Sequence, residues 1–146
     1  MSALGRDFDA LAVGDAFVTR GRTVTEADVV AFAALTGDRH PQHVDAEWAA
    51  AGPFGARIAH GLLVLSYGAG LLPFDPEWVL ALRAVREAVF KRPVLIGDTI
   101  HLEAEITGKR AIDPDRGLVE VRWRVLDQHN RLVVRAGVDI VWRRDT

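Results

Sequence analysis

Residues 58–72 constrain the fold more than any other stretch. Apart from His60, Ser66 and three glycines, the run is apolar on every side of a helical wheel. A helix of that kind is expected to be surrounded by other structure. It is also interrupted and too short to span a bilayer comfortably, so a buried core helix is the expectation. Gly61, Gly68 and Gly70 each cost helix propensity. They make sense if another backbone packs closely against the helix. Pro73 marks its end.

The second half of the chain reads with a different period. Ile100, Leu102, Ala104 and Ile106 alternate with His101, Glu103 and Glu105. Val119, Val121, Trp123 and Val125 oppose Glu120, Arg122 and Arg124, and Val134, Ala136, Val138, Ile140 and Trp142 form a third apolar face. This is the pattern of half-exposed antiparallel strands. A less regular strand is expected around residues 82–90, a longer surface loop over 108–117, and a hairpin turn at 127–130. One fully apolar helix and a sheet with one apolar face have a natural solution, in which the sheet curls around the helix. The fold class is therefore α+β: a single hot-dog domain over residues 1–146, an antiparallel sheet wrapped around a central buried helix. Another α+β sandwich also satisfies the pattern.

Upstream, residues 16–23 read as a short strand. Thr25 is a good helix N-cap, with Asp28 placed to reach back to it. The helix should run to about Leu35, with Val29, Phe32 and Ala33 on one face, and Gly37 should close it with positive φ. The loop over 38–55 follows. His40 precedes Pro41, which biases the chain to an extended form, and Asp45 can cap a short helix over 45–50. Asp38, His40, His43 and Asp45 fall close together here, with His60 shortly after.

Composition narrows the function. There is no cysteine, which excludes disulfides, thiolate metal sites and cysteine nucleophiles. Formal net charge is −2 with both signs dispersed, which gives no support to nucleic-acid or membrane binding. The first residues lack the basic-then-apolar pattern of a signal peptide, and a cytoplasmic protein is expected. His40, His43, Asp45 and His60 include usable metal donors, but the proline among them argues against a metal site.

Residues 37–45, Gly-Asp-Arg-His-Pro-Gln-His-Val-Asp, resemble the G-D-x-N-P-x-H-x-D motif of the MaoC-like, (R)-specific enoyl-CoA hydratases. Residues 54–63, Phe-Gly-Ala-Arg-Ile-Ala-His-Gly-Leu-Leu, are similar to that family's second signature, F-G-x-x-I-A-H-G-x-L. Residues 90–94 and 97–99 resemble the strand and turn that follow its central helix. The resemblance implies Asp38 and His43 as the catalytic pair and the Gly61 N–H as the group that polarises a thioester carbonyl. It implies no dissociable cofactor and no metal. The substrate would be an acyl-CoA or acyl-carrier-protein thioester, and the protein a homodimer with its acyl tunnel at the interface. Reversible hydration of a trans-2-enoyl thioester is the implied reaction. A thioesterase, or a silent hot-dog subunit that binds an acyl thioester, is the alternative. The sequence departs from the motif at His40, where the family has asparagine. Some members also carry a serine one turn beyond Ser66, where this chain has Ala69.

On chemistry alone, a carboxylate and an imidazole sharing one water can act as base and acid. Asp38 and His43 can equally be a turn cap and a satisfied loop histidine. Gly61 at a helix start offers a free N–H to a developing oxyanion, or simply permits close packing. Substrate contacts are expected from His40, Trp48, His60, Leu62 and Ser66. His60 can instead be a buried hydrogen-bonded histidine, and Ser66 a helix serine bonded to its own backbone.

Overall fold

The computed structural model describes residues 4–145. A 3-10 turn at Phe8–Ala10 leads to strands β1 (Ala16–Val18) and β2 (Arg22–Thr23). Helices α1 (Glu26–Thr36), α2 (Pro41–Val44), α3 (Ala46–Ala50) and α4 (Gly61–Leu71) follow. The chain ends in strands β3 (Val79–Phe90), β4 (Thr99–Ala111), β5 (Arg116–Leu126) and β6 (Leu132–Arg143). The sheet runs β1-β4-β5-β6-β3, with β2 also on β4, and every pairing is antiparallel. Its inner face buries Ile100, Leu102, Ile106, Val119, Val125, Val138, Ile140 and Trp142 against Leu63 and Val64 of α4. This is the hot-dog arrangement that the patterning implied. No helix is long and apolar enough to cross a membrane.

Local chemistry sets the element ends. Thr25 and Asp28 form a reciprocal capping box on α1, and Gly37 closes the helix at φ 80°. Asp127 accepts N–H bonds from His129 and Arg131, which shapes the β5–β6 hairpin.

Several expectations change. The strand expected over 16–23 is two strands. Between them the Thr19 hydroxyl accepts from Leu102 N at 2.9 Å while Thr19 N donates to Leu102 O, so a side chain replaces a backbone acceptor and the ladder breaks. The loop over 38–55 contains the unforeseen turn of α2, with Pro41 at its first position, where a missing N–H costs nothing. The surface loop expected over 108–117 shrinks to 112–115, because β4 and β5 stay paired as far as Ala111 and Gly117.

The central helix starts at Gly61, not Ile58, since Ile58 bridges to Leu95 and Ala59 N bonds to Val94 O. Nor is it enclosed within the chain: Leu62 is 63% exposed, and Ser66 and Gly70 continue that open stripe. Its glycines face side chains rather than a backbone. A Cβ on Gly61 would meet the Phe90 ring, and one on Gly68 would meet Leu102 and Val125. One on Gly70 would meet nothing.

Candidate active site

His43 stands on α2 and is 4% exposed. Its Nδ1–H donates to Ile58 O at 2.7 Å, which makes Nε2 the acceptor nitrogen of the neutral ring, and there it accepts from the Gln42 amide nitrogen at 3.3 Å. Burial pushes its pKa down. The bond to Ile58 and the charge of Asp38 oppose that shift, while His60 and His40 add to it. The imidazole is therefore neutral at neutral pH and able to accept a proton.

His60 is 3% exposed. It stacks on His43, with ring centroids 3.7 Å apart and planes 22° apart, and the Phe32 ring packs against it, tilted by 58° at 4.8 Å. Its Nε2–H donates to the Asp38 carbonyl at 2.9 Å. Its Nδ1 is buried and has no partner among the described residues. His60 thus fixes the backbone that carries Asp38.

Asp38 is exposed, in the turn after Gly37. Thr36 Oγ accepts from its N–H, and its own carboxylate accepts from His40 N at 3.3 Å. One donor atom each from Asp38, His43 and His60 lies within 4.8 Å of the others. The trio is a poor metal cage: stacked imidazoles direct their in-plane lone pairs along near-parallel planes, not toward one point. Asp45 takes no part, because its carboxylate accepts from Trp48 N and caps α3.

The N-terminus of α4 completes the arrangement. His60 is its N-cap residue but makes no side-chain cap bond, since its ring turns back to Asp38. The first N–H groups of the helix carry the positive dipole end and have no intrahelical acceptor. Gly61 and Leu62 line a cavity of ≈ 350 Å³ with Phe54, Ile58, Phe90, Lys91, Arg92 and Pro93 among its walls.

Of the expected substrate contacts, Leu62 borders this cavity. His40 uses Nδ1 to accept from Gln42 N, capping α2, and sets its ring 5.2 Å from Trp48, edge to face. Ser66 is exposed and donates to Leu62 O, the self-bonded state open to a helix serine. Sequence reasoning missed Arg57. Its Nε donates to His43 O at 2.7 Å while Nη1 holds Glu26 at 2.7 and 2.8 Å, tying the histidine's backbone to α1. Its only signal was a place inside the second motif. Gln42 and Phe90 were missed too, and their signal was of the same kind: each lies in a stretch that carries the resemblance, residues 37–45 and 90–94.

Comparison with known proteins identifies the family. Residues 9–128 match the MaoC like domain, and the chain belongs to that family. It is 39% identical to Protein MaoC of Klebsiella aerogenes over 70% of this chain, spanning 30% of that longer protein. It is 34% identical to the (R)-specific enoyl-CoA hydratase of Aeromonas caviae over 74% of this chain and 78% of that one. Among solved structures, a protein described as a monoamine oxidase regulatory protein from Archaeoglobus fulgius superposes with TM-score 0.92 at 35% identity, covering 97% of this chain and 96% of that one. A Mycobacterium tuberculosis protein described as a double hot-dog fold superposes with TM-score 0.86 at 26% identity, covering 99% of this chain and 46% of that one.

Proposed function

We propose that this chain catalyses reversible hydration of a trans-2-enoyl thioester to the (R)-3-hydroxyacyl thioester. The observation that carries the reading is a cluster in which donor atoms of an exposed carboxylate, Asp38, and of two buried imidazoles, His43 and His60, lie within 4.8 Å of one another, with His60 also beginning a helix whose N-terminus it leaves uncapped. Water oxygen bonds to C3 as the C2–C3 π pair shifts toward the thioester oxygen. The Gly61 N–H supports the resulting oxyanion, where one such donor is typically worth about 3 kcal/mol. Asp38 and His43 together take the proton released by water and return one to C2, so the sum is addition of one water. The (R) assignment follows the name of the Aeromonas relative.

A second copy is proposed to complete the site. β3 ends the sheet and exposes Leu80, Leu82, Val85 and Phe90, while Leu62 is open on α4. An apolar edge of that kind is a pairing surface. Sedimentation showing a monomer at working concentration would remove this part of the reading.

The test is loss of enoyl absorbance from crotonyl-CoA with no thiol released and a chirally pure (R) product. Thiol release would move the assignment to a thioesterase. Asp38→Asn should lower turnover by about 10²–10⁴-fold with the fold intact. Full activity in that variant would sink the proposal.

A further inference from the structure

Phe90 ends β3 with its ring against the Cα of Gly61: a Cβ there would lie 2.7 Å from two ring carbons. The next two residues are Lys91 and Arg92. Both backbone N–H groups donate to Val133 O, at 2.8 and 3.3 Å, and this pins the pair to the start of β6. Pro93 then turns the chain so that Val94 O receives Ala59 N, beside the entry to α4. The two cations therefore have a fixed place next to Gly61.

Both side chains border the cavity that Gly61 opens into. Both are exposed, and neither has an ion pair or side-chain hydrogen bond among the described residues. No carboxylate lines this cavity; its other walls are apolar. Arg92, Phe54 and Pro93 also border an adjoining cavity of ≈ 470 Å³, whose far side carries His129 and Arg131. The acid there, Asp98, has both carboxylate oxygens engaged, by Leu95 N and by the Gln128 amide. The path from the helix N-terminus is thus apolar first and cationic after, with no competing free acid.

We propose that Lys91 and Arg92 form a phosphate site that takes the nucleotide end of a coenzyme A thioester. This rests on the hydratase reading above. A thioester held at Gly61 sends its pantetheine arm along the Phe54 and Pro93 walls. The phosphates of the 3′,5′-ADP portion then meet two unpaired cations. A guanidinium is suited to a phosphate's oxygens, and an ammonium meets it as a point charge. The carrier is therefore coenzyme A. A carrier protein, whose arm ends in a single phosphodiester, is the other source of phosphate.

The double variant Lys91→Gln/Arg92→Gln removes both charges from exposed side chains. It is compared with the wild type on crotonyl-CoA and on the crotonyl thioester of N-acetylcysteamine, which has no phosphate. KM for crotonyl-CoA should rise roughly tenfold or more with kcat nearly unchanged. KM for the short thioester should move less than about twofold on the same reasoning. Adenosine 3′,5′-bisphosphate should compete with crotonyl-CoA in the wild type and lose roughly tenfold potency in the variant. Equal losses on both substrates, or no loss on either, would overturn the proposal. So would a wild type that prefers a crotonyl carrier protein and ignores the bisphosphate. If the wild type turns over neither thioester, the hydratase reading has failed, and calorimetric titration with coenzyme A itself decides this one. Weaker binding by the variant supports the phosphate site, and equal binding overturns it.

Discussion

The loop over residues 36–45 and the start of the central helix lie side by side and are built in opposite ways. Between Thr36 and Asp45 a run of polar contacts holds the chain: Thr36 Oγ receives Asp38 N, Asp38 receives His40 N, His40 receives Gln42 N, and Asp45 receives Trp48 N. His43 and His60 are held by the carbonyls of Ile58 and Asp38. At the start of α4 the cap residue bonds elsewhere, and Gly61 and Leu62 line a cavity. In the proposed reaction, groups that move protons need fixed geometry and a group that receives charge needs an open position. One side chain, His60, would serve both by turning away from the helix it begins and toward the loop.

After the loss expected from Asp38→Asn, the largest effect is expected where those two regions meet. Gly61→Ala keeps the N–H but sets a methyl 2.7 Å from two Phe90 ring carbons, so the ring or the helix start must shift. A displacement of about 1 Å at a reacting centre costs about 10²-fold in rate. Turnover should fall by that order with near-native circular dichroism. Gly61→Ala/Phe90→Ala should recover part of it. No recovery would mean that the methyl blocks substrate directly.

Arg57 tests the held side of the comparison. The Arg57 side chain is only 16% exposed, and removing it leaves the His43 carbonyl without its charged donor. Hydrogen bonds to charged groups are worth about 1.5–3 kcal/mol. Arg57→Ala should destabilise by about that much in urea titration and lower kcat more than it raises KM. Glu26, 59% exposed, should matter far less: Glu26→Gln is expected to cost about 0–1 kcal/mol.

Acid should loosen the same region. The folded His43 has its pKa held below the unfolded value of about 6.5. The unfolded chain therefore binds a proton first as pH falls. The stability contribution is fully present above about pH 6.5 and is lost progressively down through the folded pKa. The urea midpoint should decline across that window, and His43→Asn should flatten the decline. The lowered carboxylates Asp28 and Asp127 act in the same direction at lower pH, below about 4, and so are separable.

Much of this could be read from the chain because local chemistry decided it. Thr25 with Asp28, Gly37, and the alternation in β4 to β6 each carry their own physical reason, and the structure follows them. Other features stayed hidden because the deciding partner is distant in sequence. Arg57 reaches Glu26 31 positions away, and Thr19 replaces a carbonyl for Leu102, 83 positions away. The open stripe of α4 was hidden for another reason. An all-apolar wheel shows that a helix gets covered, not whether its own chain or a second copy does the covering.

His40 yields the smallest effect and the most specific test. The resemblance placed an asparagine here, and a histidine looks like a change of charge and shape. In the structure its Nδ1 accepts from Gln42 N at 3.1 Å, as an asparagine carbonyl oxygen would in capping α2. The ring adds an edge-to-face contact with Trp48 at 5.2 Å. If the cap is what the position supplies, His40→Asn should leave stability within about 0.5 kcal/mol, and His40→Ala should lose about 1 kcal/mol. If the Trp48 contact matters more, both variants should lose alike and Trp48→Ala should match them. Urea titration of the three variants separates the two accounts, because only the cap distinguishes asparagine from alanine.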